Sequence, residues 1–207
     1  MGKQKSFSYL HEFDEGIIGP RVWEHLIREV NFSEKDVMVF LKSIPPTEEL
    51  RNLKKEGEVV VCIPESIHGC NISVNFWEKF GFGFIHNSGI AKFSWDEYAT
   101  QKLCSGGIYV GNPRGIAEGK ELAEQIHLLP DGYTMATPGV QMSIDIIHFL
   151  MGRGFINIDR TVRCACDTLG VASIGGGNNA TKTLRVYKDS YRPNNMASLS
   201  CFKKVLI

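Results

Sequence analysis

Asp145 and His148 stand three residues apart in a segment that carries Val140, Ile144, Ile147 and Met151 at helical intervals, so the two would be neighbours on a helix surface. In that arrangement the carboxylate could orient the imidazole as a general base. The pair lies off the apolar stripe, and its plainer account is a solvated polar face. Cys201 and Cys104 are thiols that such a histidine could activate, the minimum for a small hydrolase. Cys164 and Cys166 have one residue between them, which in a strand puts both sulfurs on one face and makes chelation thinkable. Paired metal-ligand cysteines are more widely spaced, and free cysteine packs as a small apolar group, so a core role is the stronger expectation there.

Other patterns are weaker. Gly176-Gly-Asn-Asn-Ala-Thr-Lys182-Thr183 fits a phosphate-binding loop except that Thr181 replaces the second glycine. Such a loop must open a helix whose amides face the phosphate, whereas Leu184-Arg-Val-Tyr-Lys alternates like a strand; a hairpin is predicted instead. Gly106-Gly107 and Gly111 to Gly115 lack the order and spacing of a dinucleotide fingerprint. The histidines at 11, 25, 68, 86, 127 and 148 form no metal-binding pattern. Arg185, Tyr187, Lys188, Tyr191 and Arg192 mix bases and aromatics as a single-strand nucleic-acid platform does, but an exposed strand end explains them as well. No cofactor is expected.

The elements that would hold these residues are legible in outline. Pro20 in a first-turn position, followed by Val22, Trp23, Leu26, Ile27 and Val30, predicts a helix over about 20–31. Ser33 to Asp36 resembles an N-cap for a second helix that Pro45-Pro46 ends, and Thr47 opens a third that reaches about Glu56. Val59 to Ile63 reads as a buried strand, and Ser73 to Phe80 and Ser94 to Leu103 as short helices. A strand follows from Gly107 to Val110, closed by Asn112-Pro113, and then helices over Ala117 to Leu129 and from Pro138 to Met151. From Phe155 onward the pattern alternates, which predicts an antiparallel C-terminal meander of three or four strands. The fold class expected is α+β, a mixed or antiparallel sheet with helices packed on one face. A seam near Gly57 would divide a helical segment, 1–57, from an α+β domain, 58–207, unless the two form a single domain.

The 207 residues suffice for one such domain, and 43% hydrophobic with 22% charged residues is an ordinary globular composition. Lysine plus arginine number 23 and aspartate plus glutamate number 23, leaving no net field to draw in nucleic acid or an anionic membrane. No signal-peptide core or spanning segment is visible, so a cytoplasmic protein with free thiols is expected. Gly2 with Ser6 matches the loose myristoylation pattern.

Four stretches, taken in order, resemble an uncharacterised bacterial domain family of unknown function. Glu58-Val-Val-Val-Cys-Ile-Pro looks like its first strand and Gly107-Ile-Tyr-Val like its second. Gly132-Tyr-Thr-Met-Ala-Thr-Pro-Gly-Val-Gln is similar to its helix start, without the family's basic and acidic residues, and Met196-Ala-Ser-Leu-Ser-Cys201 resembles its terminal strand, without the glycine. The resemblance spans residues 58–203 and implies an α+β bacterial domain with no established activity. With no catalytic constellation outweighing its structural account, the expected function is a non-enzymatic module that binds another macromolecule, a protein before a nucleic acid. A hydrolase built on Asp145 and His148 or on Cys201 is the alternative, and a thiol-metal protein through Cys164 and Cys166 the third reading.

Overall fold

The computed structural model describes residues 8–30, 38, 41–67, 70–71, 73–79, 85–88, 96, 98–99, 106–166, 170–178, 183–188 and 197–205. Cys104, Tyr191, Arg192, residues 179–182, most of the expected second helix and most of Ser94 to Leu103 fall outside them.

Helices α1 (Ser8–Asp14), α2 (Pro20–Val30), α3 (Thr47–Arg51), α4 (Val74–Lys79), α5 (Leu122–His127) and α6 (Pro138–His148) alternate with strands. These are β1 (Ile17–Ile18), β2 (Val59–Ile63), β3 (Ser66–Ile67), β4 (Cys70–Asn71), β5 (Ile85–Ser88), β6 (Gly107–Ile116) and β7 (Thr134–Met135), then β8 (Thr161–Cys166), β9 (Gly170–Asn178), β10 (Thr183–Lys188) and β11 (Ser198–Val205). β3 and β4 form a separate hairpin. The rest make one sheet in the order β1-β2-β6-β11-β8-β9-β10-β5, with β7 paired to β11 beyond the end of β8. Parallel pairs (β1 with β2, β11 with β8, β10 with β5) mix with antiparallel ones. The fold is α+β with a mixed sheet, as the element pattern predicts.

β8, β9 and β10 are the predicted meander, Asn178 pairing with Thr183 across the hairpin. β10 is a strand where a phosphate loop would need a helix. The fourth expected strand departs from the meander: β11 returns to the middle of the sheet, antiparallel to β6 and parallel to β8. Local alternation carries the strand but not its partner, which is why the sequence gives no sign of this crossover.

β6 also differs, running through Asn112-Pro113 to Ile116 instead of ending there. β2 pairs only with Gly107 to Gly111, so Pro113 has no ladder bond to lose on that side. On the other side the register against β11 slips between Leu199, opposite Ile116, and Cys201, opposite Asn112. This bulge turns the Pro113 carbonyl to the interior. A Cβ at Gly111 would sit 2.2 Å from the Cys201 carbonyl, so the close strand approach beside the bulge requires glycine.

The unbroken β-branched run of β2 reflects cover on both faces. Val61 and Ile63 join the main core with Trp23, Leu26, Tyr109 and α6. Val60 and Cys62 join Ile17, Leu50, Ile108 and Val110 in a second cluster on the opposite face. At this end the expected single covered face is therefore two. Residues 8–30 share the sheet and core with the chain beyond Gly57: β1 pairs with β2, and Trp23 Nε1 donates to the Cys62 carbonyl at 2.7 Å. The Glu12 carboxylate, 1% exposed, accepts from the Val22 amide at 2.8 Å and the Thr47 hydroxyl at 2.7 Å, capping α2 from ten residues upstream. Gly19 leaves room for it, since a Cβ there would meet Glu12 Oε1 at 2.6 Å.

Candidate functional site

α6 is buried from Pro138 to Ile147 on every side. Asp145 is fully buried, which replaces the expected solvated polar face with an interior one. The helix packs in the main core with its polar side against the sheet, meeting Pro113 of β6 and Ser200 of β11, so that side has no solvent to face.

That polar side builds a buried network in which Asn157 Oδ1, alone of the Asn157 side-chain atoms, lacks a partner among the described residues. Asp145 Oδ2 accepts from Gln141 Nε2 at 2.9 Å and Asn157 Nδ2 at 3.2 Å, and Oδ1 accepts from the Asn157 amide at 3.2 Å. The same two side-chain amides donate to the Pro113 carbonyl, at 3.1 and 2.9 Å. A carbonyl only accepts, so both NH2 groups are fixed toward Pro113 and Asp145, and the carboxyl meets donors alone. Ser200 Oγ donates to Gln141 Oε1 at 2.7 Å and also touches the Cys164 thiol. Burial pushes the Asp145 carboxyl up to about 6 against the pull of the Gln141 and Asn157 hydrogen bonds. The group is an anion at neutral pH, held by donors without a cation.

Asp145 and His148 do not form the sequence-suggested pair. His148 Nδ1 donates to the Gly154 carbonyl at 2.7 Å, while Asp145 holds the Asn157 amide. Both clamp the loop that follows a π-helical turn, Phe149–Arg153, in which Gly152 is left-handed at φ 76°. Burial lowers the His148 pKa, keeping the ring neutral. The ring lines a cavity of about 280 Å³ with Phe13, Ile18, Val59, Ile144 and Ile156.

The cysteines separate across the sheet. Ser200 reaches α6 and Phe202 joins the main core, so by strand alternation Cys201 between them points to the other face, away from His148. Cys201 is 2% exposed, and burial pushes its thiol up to about 11. Cys164 and Cys166 do share a face, as the spacing predicts, but both are buried among Tyr98, Ala172 and Val162, and burial raises Cys164 strongly. Among the described residues no group of three histidine, cysteine or acidic side chains is placed to hold a metal ion. Cys201 in the native protein should therefore alkylate slowly, since it presents roughly a few hundredfold less thiolate at pH 7 than an ordinary thiol. Peptide mass spectrometry after iodoacetamide checks this, and rapid native labelling of Cys201 would restore it as a nucleophile.

Sequence reasoning missed Gln141, Asn157 and Ser200, the partners that give Asp145 its environment. Asn157 lies in what reads as the start of a strand, although β8 begins only at Thr161. Gln141 had a findable signal: it is four residues before Asp145 on the same helix, hydrogen-bonding distance on a helix face.

In α5 a polar residue takes the most buried position. Its buried residue is Gln125, which donates to the carbonyls of Ala117 at 2.9 Å and Ala197 at 2.7 Å and accepts from Arg163 at 2.8 Å. Ile126 and, just beyond, Leu128 are 46% and 51% exposed. Of the apolar residues whose spacing predicts a helix over Ala117 to Leu129, Leu122 and Leu129 are half-buried on the same side as Gln125 while Ala123 and Ile126 are exposed, and the helix is confined to six residues.

The fold and this interior network define an α+β protein with a mixed sheet. Comparison with known proteins finds no matching family model, no similar curated protein and no similar solved structure. No helix among the described residues is long and apolar enough to cross a membrane.

Proposed function

We propose that the protein is a non-enzymatic binding module whose partner is another protein, engaged through α5 and its flanking loops. The observation that carries this reading is an exposed apolar pair on an anchored helix: Gln125 holds α5 in place through three hydrogen bonds while Ile126 and Leu128 face outward. Large apolar side chains held outward on a rigid support favour association. In the same stretch the exposed acids Glu121, Glu124 and Asp131 outnumber the exposed Lys120, which suits a partner that offers apolar residues among basic ones. Nucleic acid is the poorer partner for such a surface and for a chain of zero net charge. Buried thiols at four cysteines among the described residues support the reading of a reducing, cytoplasmic compartment, and the resemblance over 58–203 supports a bacterial origin.

The alternative hydrolase keeps one supporting observation, a neutral His148 on a cavity wall. It loses ground because the Asp145 carboxylate is consumed by Gln141 and Asn157, and Cys201 lies across the sheet.

Changing Ile126→Asp and Leu128→Asp together should leave the melting temperature within about 2 °C, because exposed substitutions move stability by roughly 0.5 kcal/mol or less. Affinity capture from native lysate with both forms, read by mass spectrometry, should give a protein held by the wild type and lost by the double variant. Identical capture by both forms would remove α5 as the interface.

A further inference from the structure

The cavity beside His148 is bounded by α1, β1, the start of β2, the far end of α6 and the loop after the π-helical turn. Its walls are mostly apolar: the Phe13 ring, 5.2 Å from the imidazole centroid and tilted 54° to it, and the side chains of Ile18, Val59, Ile144 and Ile156. Asp14 and Arg153 also line it, ion-paired at 2.6 Å with both side chains half exposed, so they form its mouth and cancel each other's charge. Of the remaining lining residues, Gly16 offers no side chain, and the His148 ring is the side chain whose hydrogen-bonding sense is fixed. Since the Gly154 carbonyl can only accept, Nδ1 of His148 carries the proton, and Nε2 is the ring's acceptor.

We propose that this cavity is a binding site for a small neutral aromatic alcohol, a phenol-class ligand whose ring packs against Phe13 and the aliphatic walls and whose hydroxyl donates to Nε2 of His148. Size, charge and hydrogen bonding each point the same way. An apolar cavity of about 150 Å³ accepts benzene, so the larger volume here admits one substituted ring. The neutralised mouth gives no preference for an anion. A single acceptor in an apolar setting selects a single donor, because a ligand without one leaves that acceptor desolvated and unpaired. The site is separate from α5, and neither proposal depends on the other.

Calorimetric titration with p-cresol, toluene and benzoate, paired with 15N NMR of the His148 ring, tests this. Saturable p-cresol binding is expected, with a shift of the Nε2 resonance, and toluene should bind about tenfold more weakly. Ile156→Trp, which fills the cavity from its wall and leaves the His148 side chain itself unaltered, should abolish p-cresol binding. Equal affinity for toluene and p-cresol, preference for benzoate, no saturable binding of any probe, or unchanged p-cresol binding by a folded Ile156→Trp protein would each overturn the proposal.

Discussion

Replacing Asn157 by alanine should destabilise the protein by about 2–4 kcal/mol at pH 7.5 and by clearly less at pH 4.5. The side chain donates to both Asp145 and the Pro113 carbonyl, so its loss leaves the buried carboxylate with fewer donors and no counter-ion to compensate. In the wild type the folded-state pKa of Asp145 is raised from 3.8 to about 6. A raised pKa means the folded state binds the proton more tightly, so this group's contribution to stability is complete below about pH 4 and lost as pH rises through 6, roughly 3 kcal/mol in all. Removing donors to the anion raises that pKa further and enlarges the loss at high pH. Taking the difference between variant and wild type cancels the titration of Glu12 and the surface acids. Urea denaturation at the two pH values measures it, and a pH-independent difference would show that Asp145 is not the group the amide serves.

Trp23→Ala is expected to cost about 3–5 kcal/mol and to lower the whole protein in one transition. The indole is 1% exposed within the main core, and its Nε1 satisfies the Cys62 carbonyl of β2, so truncation opens a cavity and orphans an acceptor at once. Because β1 also extends the sheet and Glu12 ties α1, α2 and α3 together, the loss should be felt by β11 as much as by α2. Hydrogen exchange read at Leu26 in α2 and at Phe202 in β11 separates the outcomes. Equal acceleration at both sites marks one cooperative unit, while acceleration confined to residues 8–30 would make the segment before Gly57 an independent one.

The fold class and most elements were legible because they depend on local pattern: the periodicity of Val22 to Val30, the β-branched run of β2 and the alternation of β8 to β10. What was not legible depends on pairing at a distance. Nothing near Leu199 shows that β6 and β8 are its neighbours, and nothing near Pro20 shows that a glutamate ten residues before Val22 caps the helix. The site was half visible for the same reason. Asp145 and His148 drew notice through their spacing, but the partners that decide their chemistry, Asn157, Gly154 and the Pro113 carbonyl, come from a loop and a bulge whose positions tertiary structure sets. α5 shows a mixed case, in which Leu122 and Leu129 of a legible apolar spacing are half-buried, Ile126 is exposed, and the most buried position is a glutamine that the spacing does not mark.

The late strand β11 has a cost during synthesis. β2 and β6 can pair, and β8 to β10 can form their hairpins, as soon as those residues leave the ribosome. Until residues 198–205 emerge, β6 and β8 each present an open row of amides and carbonyls to the other. The nascent chain thus carries two half-finished sheets with facing edges, the kind of surface that holdase chaperones cover and that seeds aggregates when they do not.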